Sequence, residues 1–242
     1  MRRTLTMAAI GLALVTWPTA AHAQMTWTGQ GYGSINFGGQ FPSHTLTAET
    51  TAEIYPPDLA HFVSSQDVGG GFFFDVSGGY KIWRNLLVGL GYTHVSSEDT
   101  LAVQASIPDP LLTDSPRAVT TSFSGAKHSQ NSLHLMGTWM VPFTDKVDFG
   151  IQFGPTIFFV SQDLPQNITV TEPAPTLSGT LTSDDKTTVG FHLGVDALYA
   201  ITPRYSAGVL LRYSWGSVDF GDSNESLTLG GLQFGGGLRV RF

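Results

Sequence analysis

The 242-residue sequence has no cysteine. A disulfide framework is excluded, so the fold must hold together without covalent staples. Charge is scarce, at 13% of residues, and what there is leans acidic, with 19 Asp and Glu against 12 Lys and Arg. That balance argues against nucleic acid as a partner, because phosphates need basic patches. Beyond residue 23 no apolar run approaches the ~20 residues of a membrane-spanning helix, and there is no phosphate-binding loop, zinc-ligand spacing or redox motif. No cofactor and no metal are expected.

What is present begins with a leader. Arg2 and Arg3 precede an apolar stretch from Met7 to Trp17, and small residues follow at Ala21 and Ala23, the composition of a secretory signal peptide over residues 1–23. The mature chain then runs from Gln24 to Phe242. Without the leader's two arginines, ten basic residues face 19 acidic ones, a net charge of −9. The chain is rich in glycine, with 28 residues, and in aromatics, at 12%.

Few segments show the helical period; alternation of apolar and polar residues bounded by turn residues recurs instead. Eight strands are predicted: Thr26 to Phe37, Gly70 to Tyr80, Asn85 to Ser96, Asn131 to Phe143, Val147 to Ser161, Thr187 to Ile201, Tyr205 to Asp219 and Leu227 to Phe242. Their connections alternate in length. "KIWR", "TDK" and "TPR" are tight turns, whereas Gly38 to Gly69, Ser97 to Gln130 and Gln162 to Lys186 are long, acidic and rich in Thr, Ser and Pro. Short turns at one end and long loops at the other describe an antiparallel up-and-down transmembrane β-barrel in an outer membrane, with both termini periplasmic.

The strand faces fit a bilayer. In the sixth strand Val189, Phe191, Leu193, Val195, Ala197, Tyr199 and Ile201 share one face, and His192 and Asp196 the other. A charge on the lipid side near the midplane costs roughly 2 to 4 kcal/mol, so Asp196 is assigned to the lumen. Aromatics cluster near strand ends, where a headgroup region favours them: Trp27, Tyr80, Phe143, Tyr199, Tyr205 and Phe242 at the periplasmic girdle, and Phe37, Phe72, Tyr92, Phe159 and Trp215 at the outer one.

The stretches "GGYKIWRNLLVGLGYTH", "VDFGIQFGPTIFFV", "GVDALYAITPRYSAGVLLRYSW" and "GGLQFGGGLRVRF" resemble the outer-membrane β-barrel domain family, the small eight-stranded OmpA- and OmpX-like, porin-like proteins. The resemblance spans Gln24 to Phe242. It implies a C-terminal assembly signal, fitted by Gly237, Val240 and Phe242, with Gly235 where a polar residue is usual. It also implies outer-membrane lipid and lipopolysaccharide as surroundings, and the barrel-assembly machinery and periplasmic chaperones as partners in biogenesis.

The expected role is structural or surface-interacting, with an unknown ligand on acidic extracellular loops. Glu49, Glu53, Asp58 and Asp67 lie in the first loop, Glu98, Asp99, Asp109 and Asp114 in the second, and Asp163, Glu172, Asp184 and Asp185 in the third. The lumen is expected to be plugged by a polar network of Asp75, Gln152, His192, Asp196, Arg212 and Arg239, in which Asp196 and Arg212 form a central ion pair. Asp75, Asp148 and Asp196 there nearly balance Lys81, Arg212, Arg239 and Arg241.

A passive small-solute channel is the alternative. So, less strongly, is a lipid A-modifying enzyme, for which only His94, Ser96 and Glu98 in "THVSSED" offer a nucleophile beside a base; the pattern of deacylase barrels continues with Asn where this chain has Ser97. No catalytic residue is assigned. Part of "SIPDPLLTDSP" is expected to be dispensable, since a doubling of loop length costs only about 0.6 kcal/mol.

Deleting Phe242, or replacing it with a charged residue, should lower the yield in outer-membrane fractions while export continues. Normal yield of the deletion variant would refute the assembly-signal assignment.

Overall fold

The computed structural model describes residues 29–41, 44–55, 58–68, 70–109, 115–171, 175–219 and 226–242. The leader, Trp27, Asp114 and Glu172 lie outside them. Eight strands form a closed antiparallel ring: β1 (Gly31–Gln40), β4 (Gly71–Trp83), β5 (Leu86–Ile107), β6 (Arg117–Pro142), β7 (Val147–Thr171), β8 (Thr176–Ala200), β9 (Tyr205–Asp219) and β10 (Ser226–Arg241). Pairing of β5 with β6 and of β1 with β10 completes the circle. Two further strands, β2 (His44–Tyr55) and β3 (Asp58–Val68), make a hairpin whose second strand adds to the upper part of β5, from His61 opposite Ser106 to Ser65 opposite Ala102.

Strand alternation decides which side chains meet which solvent. On β8 and β9, Val189, Phe191, Leu193, Val195, Tyr199, Tyr205, Val209, Leu211, Tyr213 and Trp215 are exposed on the outside of the ring, while His192, Asp196, Leu210 and Arg212 are buried within. The described aromatics of the two expected girdles all face outward.

At one end the strands join by tight turns with a shared chemistry. Thr144 Oγ1 accepts from the amides of Lys146 and Val147, at 3.3 and 3.0 Å, and Thr202 Oγ1 does the same for Arg204 and Tyr205. A threonine hydroxyl thus caps the amides of these two turns, as Ser and Thr commonly do. At the same end the chain terminus closes the seam: Gly31 N donates to the Phe242 carbonyl at 2.8 Å and Phe242 N to the Gly31 carbonyl at 3.0 Å. Gly31 leaves room for the Phe242 ring, which a Cβ at that position would displace.

At the other end the loop expectation needs correction. β5 continues from Ser96 to Ile107, β6 begins at Arg117 rather than Asn131, β7 runs on to Thr171 and β8 starts at Thr176. Most of these linkers are ribbons of paired strand. Alternation inside them explains why: Leu101, Val103, Ala105 and Ile107 are all buried, and they pack with Ala60, Phe62 and Ala126. Val119, Phe123, Ile168, Val170, Leu177 and Leu181 cover this cluster from β6, β7 and β8. The ribbons therefore share an apolar core of their own, forming a head on the barrel. Serine, threonine and proline in the same segments mask that period in composition.

Ile107 belongs to the core although it lies within the segment expected to be dispensable; residues 110–114 of that segment are outside the described residues. Ile107→Ala should open the head by about 2–5 kcal/mol, the usual cost of truncating a buried isoleucine. Limited proteolysis should then cut within the ribbons while the barrel keeps its heat-modifiable band on electrophoresis.

Candidate functional site in the barrel lumen

Inward positions of the ring converge on a narrow interior, as eight strands dictate. The interior accommodates its bulky side chains by alternating them with glycine. Phe158 lies against Gly190 and Gly216, where an added Cβ would come within 2.9 Å of its ring. This accounts for much of the glycine on the inward phase.

The central layer is organised around Asp75 and Arg212, each 1% exposed. Arg212 Nη2 donates to Asp75 Oδ2 at 2.7 Å, Thr93 Oγ1 donates to the same oxygen at 2.8 Å, and Asn36 Nδ2 donates to Oδ1 at 2.8 Å. Since the Thr93 hydroxyl proton goes to Asp75, His134 Nε2 donates to Thr93 Oγ1, at 3.0 Å. His134 Nδ1 lies 2.8 Å from Thr156 Oγ1, which lies 2.9 Å from His192 Nδ1. One chain of hydrogen bonds thus runs around the inner wall through neighbouring strands from β1 to β8.

A second layer lies toward the turns. Asp196 Oδ2 accepts from Arg239 Nη2 and from Gln152 Nε2. The Arg239 guanidinium also stacks over the Tyr32 ring, 4.7 Å from its centroid, where the ring's negative face attracts a cation. Nearest the turns, Arg241 Nη2 donates to Asp148 Oδ2 at 2.7 Å. Above the central layer a set of amides is linked: Gln40 Nε2 donates to the Gly230 carbonyl and Gln233 Nε2 to Gln40 Oε1, while Gln130 Oε1 accepts from Gly230 N.

The expected pairing of Asp196 with Arg212 is therefore corrected: each takes a different partner. In the β8–β9 register Arg212 stands opposite Gly194 and Asp196 opposite Leu210, so the two are a diagonal pair. Arg212 is taken by Asp75 on β4, and Asp196 by Arg239 on β10. The six residues assigned to the network are all buried in the lumen, in two layers rather than one. Asn36, Thr93, His134 and Thr156 were missed, although their place on the inward phase was readable from alternation.

Of the residues assigned to the assembly signal, Gly237 lies on the inward face of β10 beside Asn36, while Val240 and Phe242 point outward, the latter 73% exposed. His94 and Ser96 lie on the outward phase of β5, opposite Phe74 and Phe72. The His94 ring is engaged by Asn131 Oδ1 at 2.8 Å, and Glu98 pairs with Lys127 at 3.8 Å. Among the described residues no base and orienting carboxylate converge on Ser96.

A closed antiparallel ring with apolar side chains outside and ion pairs inside defines a transmembrane β-barrel, the one sheet form whose backbone needs no water. The chain matches the family model of the outer membrane protein beta-barrel domain over residues 7–242 and belongs to that family, which places it in the outer membrane. Similar solved structures include Neisserial surface protein A, 15% identical, covering 89% of this chain and 98% of that one with a TM-score of 0.43. OprG of Pseudomonas aeruginosa is 11% identical, covering 88% and 97% with a TM-score of 0.45. Ail, the attachment invasion locus protein of Yersinia pestis, solved with the heparin analogue sucrose octasulfate, is 10% identical, covering 87% and 98% with a TM-score of 0.40. No curated protein matches the chain.

Removing one partner of a buried pair leaves an uncompensated charge, at a cost of about 3–5 kcal/mol. Arg212→Ala should lower the urea midpoint of the refolded barrel accordingly. A double-mutant cycle should give strong coupling of Arg212 to Asp75 and little to Asp196; the reverse would overturn the pairing.

Proposed function

We propose that the chain is a surface-interaction barrel whose lumen is plugged by its own side chains and whose ligand is met by the extracellular head. The observation that carries this reading is the filled bore: Tyr32, Phe73, Leu87, Met136, His134, Phe158, His192 and Arg212 are fully buried at successive depths of the interior. Solute passage would require breaking several buried ion pairs together. Recognition then falls to the outside, and a head with its own apolar core is a rigid support for exposed side chains. Its described acids, Glu98, Asp109, Asp163, Asp184 and Asp185, give it an anionic character; the side chains of Glu49, Glu53, Asp58, Asp67 and Asp99 lie outside the described ones. On this reading lipid and lipopolysaccharide surround the girdles, and the assembly machinery and periplasmic chaperones act during biogenesis through Gly237, Val240 and Phe242. The leader at residues 1–23 is removed on export.

One observation favours the channel reading instead. Asp196 Oδ1, Arg239 Nη1, Ser206 Oγ and Ser214 Oγ are buried polar atoms without a protein partner, and such atoms are ordinarily satisfied by internal water. Isolated waters are compatible with a plug, whereas a continuous file is not. The lipid A-modifying reading has the least support, because His94 and Ser96 face outward with the histidine already engaged.

Planar-bilayer recording separates the first two readings. The intact barrel should show no steady nanosiemens steps, and such steps would overturn the plug. Binding to a panel of glycans and matrix proteins should be lost when the head ribbons are shortened; retention of binding would move recognition elsewhere.

A further inference from the structure

The charged groups of the barrel are sorted by height. Outside the membrane on the head side, each described basic residue is held by an acid: Arg117 by Asp109 at 3.6 Å, Lys127 by Glu98 at 3.8 Å and Lys186 by Asp184 at 3.8 Å. In the lumen three arginines are matched by three aspartates. The periplasmic end differs. Its three hairpin turns each present one basic residue, Arg84, Lys146 and Arg204, all exposed, against one exposed acidic side chain, Asp145, and the carboxylate of exposed Phe242. Among the described residues no ion pair takes any of the three.

Their height is fixed by the girdle. Arg84 directly follows exposed Trp83, Arg204 directly precedes exposed Tyr205, and Lys146 is three residues beyond exposed Phe143. At about 3.3 Å per residue, the three cations stand within about 10 Å of rings that favour the headgroup level. That distance is about one Debye length at physiological salt, inside which a basic side chain senses an anionic surface.

We infer that the periplasmic turns form a cationic collar that selects anionic phospholipid headgroups in the inner leaflet. The collar complements a net negative lipid, whereas the acid-rich head above the outer leaflet repels one. A basic residue near such a surface strengthens attraction about fivefold, so three acting together, less Asp145 and the Phe242 carboxylate, give a preference of about fivefold. The lipid would thereby fix the barrel's height and hold its turns at the membrane plane. This inference rests on placement in the outer membrane and is independent of what the head binds.

The test uses the folded mature barrel in mixed micelles holding equal phosphatidylglycerol and phosphatidylcholine of one acyl composition. Retained lipid is counted by native mass spectrometry. The wild type should retain phosphatidylglycerol about fivefold over phosphatidylcholine at low salt. Arg84→Gln, Lys146→Gln and Arg204→Gln combined should bring the ratio near one, while Arg117→Gln, Lys127→Gln and Lys186→Gln combined should leave it unchanged. Parity in the wild type, or undiminished preference in the turn variant, would overturn the collar. Should the turn variant fail to fold, salt titration of the wild type decides: the preference must fall steeply as NaCl rises, and a salt-independent ratio counts against the inference.

Discussion

Everything in this molecule follows from backbone amides that have no water to turn to. In hydrocarbon each unpaired N–H or C=O costs several kcal/mol, so a sheet can cross only if it has no edge. The constraint falls hardest where the two ends of the chain meet. Here β1 and β10 run in register from Tyr32 opposite Arg241 to Gln40 opposite Gln233, and the exchange between Gly31 and Phe242 seals the last turn of the seam. The final residue is thus a structural member as well as a lipid-facing aromatic.

Closure with eight strands then fixes the interior. So narrow a bore has room for only a few large side chains at each depth, and the inward phase answers with glycine beside bulk. Charges placed there lose their hydration, so they persist only as pairs supported by further hydrogen bonds. Asp75 illustrates the arrangement, with donors from Arg212, Thr93 and Asn36 on three different strands. Such a layer ties together strands that are not neighbours in the ring, which main-chain pairing alone cannot do.

Beyond the bilayer the constraint relaxes and ordinary burial takes over. The ribbons above the rim stay together because Leu101, Val103 and Ile107 on β5 meet Phe62 on β3 and are covered from β6, β7 and β8. The same strands therefore carry two opposite patterns. Within the membrane their apolar face points out to lipid, and in the head apolar residues turn toward one another. A reader of the sequence sees alternation in both zones, with proline, serine and threonine diluting the second.

The sequence by itself determined the ring, its strand phase and its orientation. A two-residue period with charge confined to one phase has only one arrangement that keeps those charges out of lipid, and turn length marks the periplasmic end. The same period put Asp75, Gln152, His192, Asp196, Arg212 and Arg239 inside. Which of them meet was decided by tertiary structure alone. Partners across a bore depend on strand stagger and on which glycines make room, as with Arg212 reaching Asp75 on β4 rather than Asp196 one strand away. The head's core was hidden for the same reason: its apolar residues come from β3, β5, β6, β7 and β8, and no local window holds enough of them to reveal a shared interior.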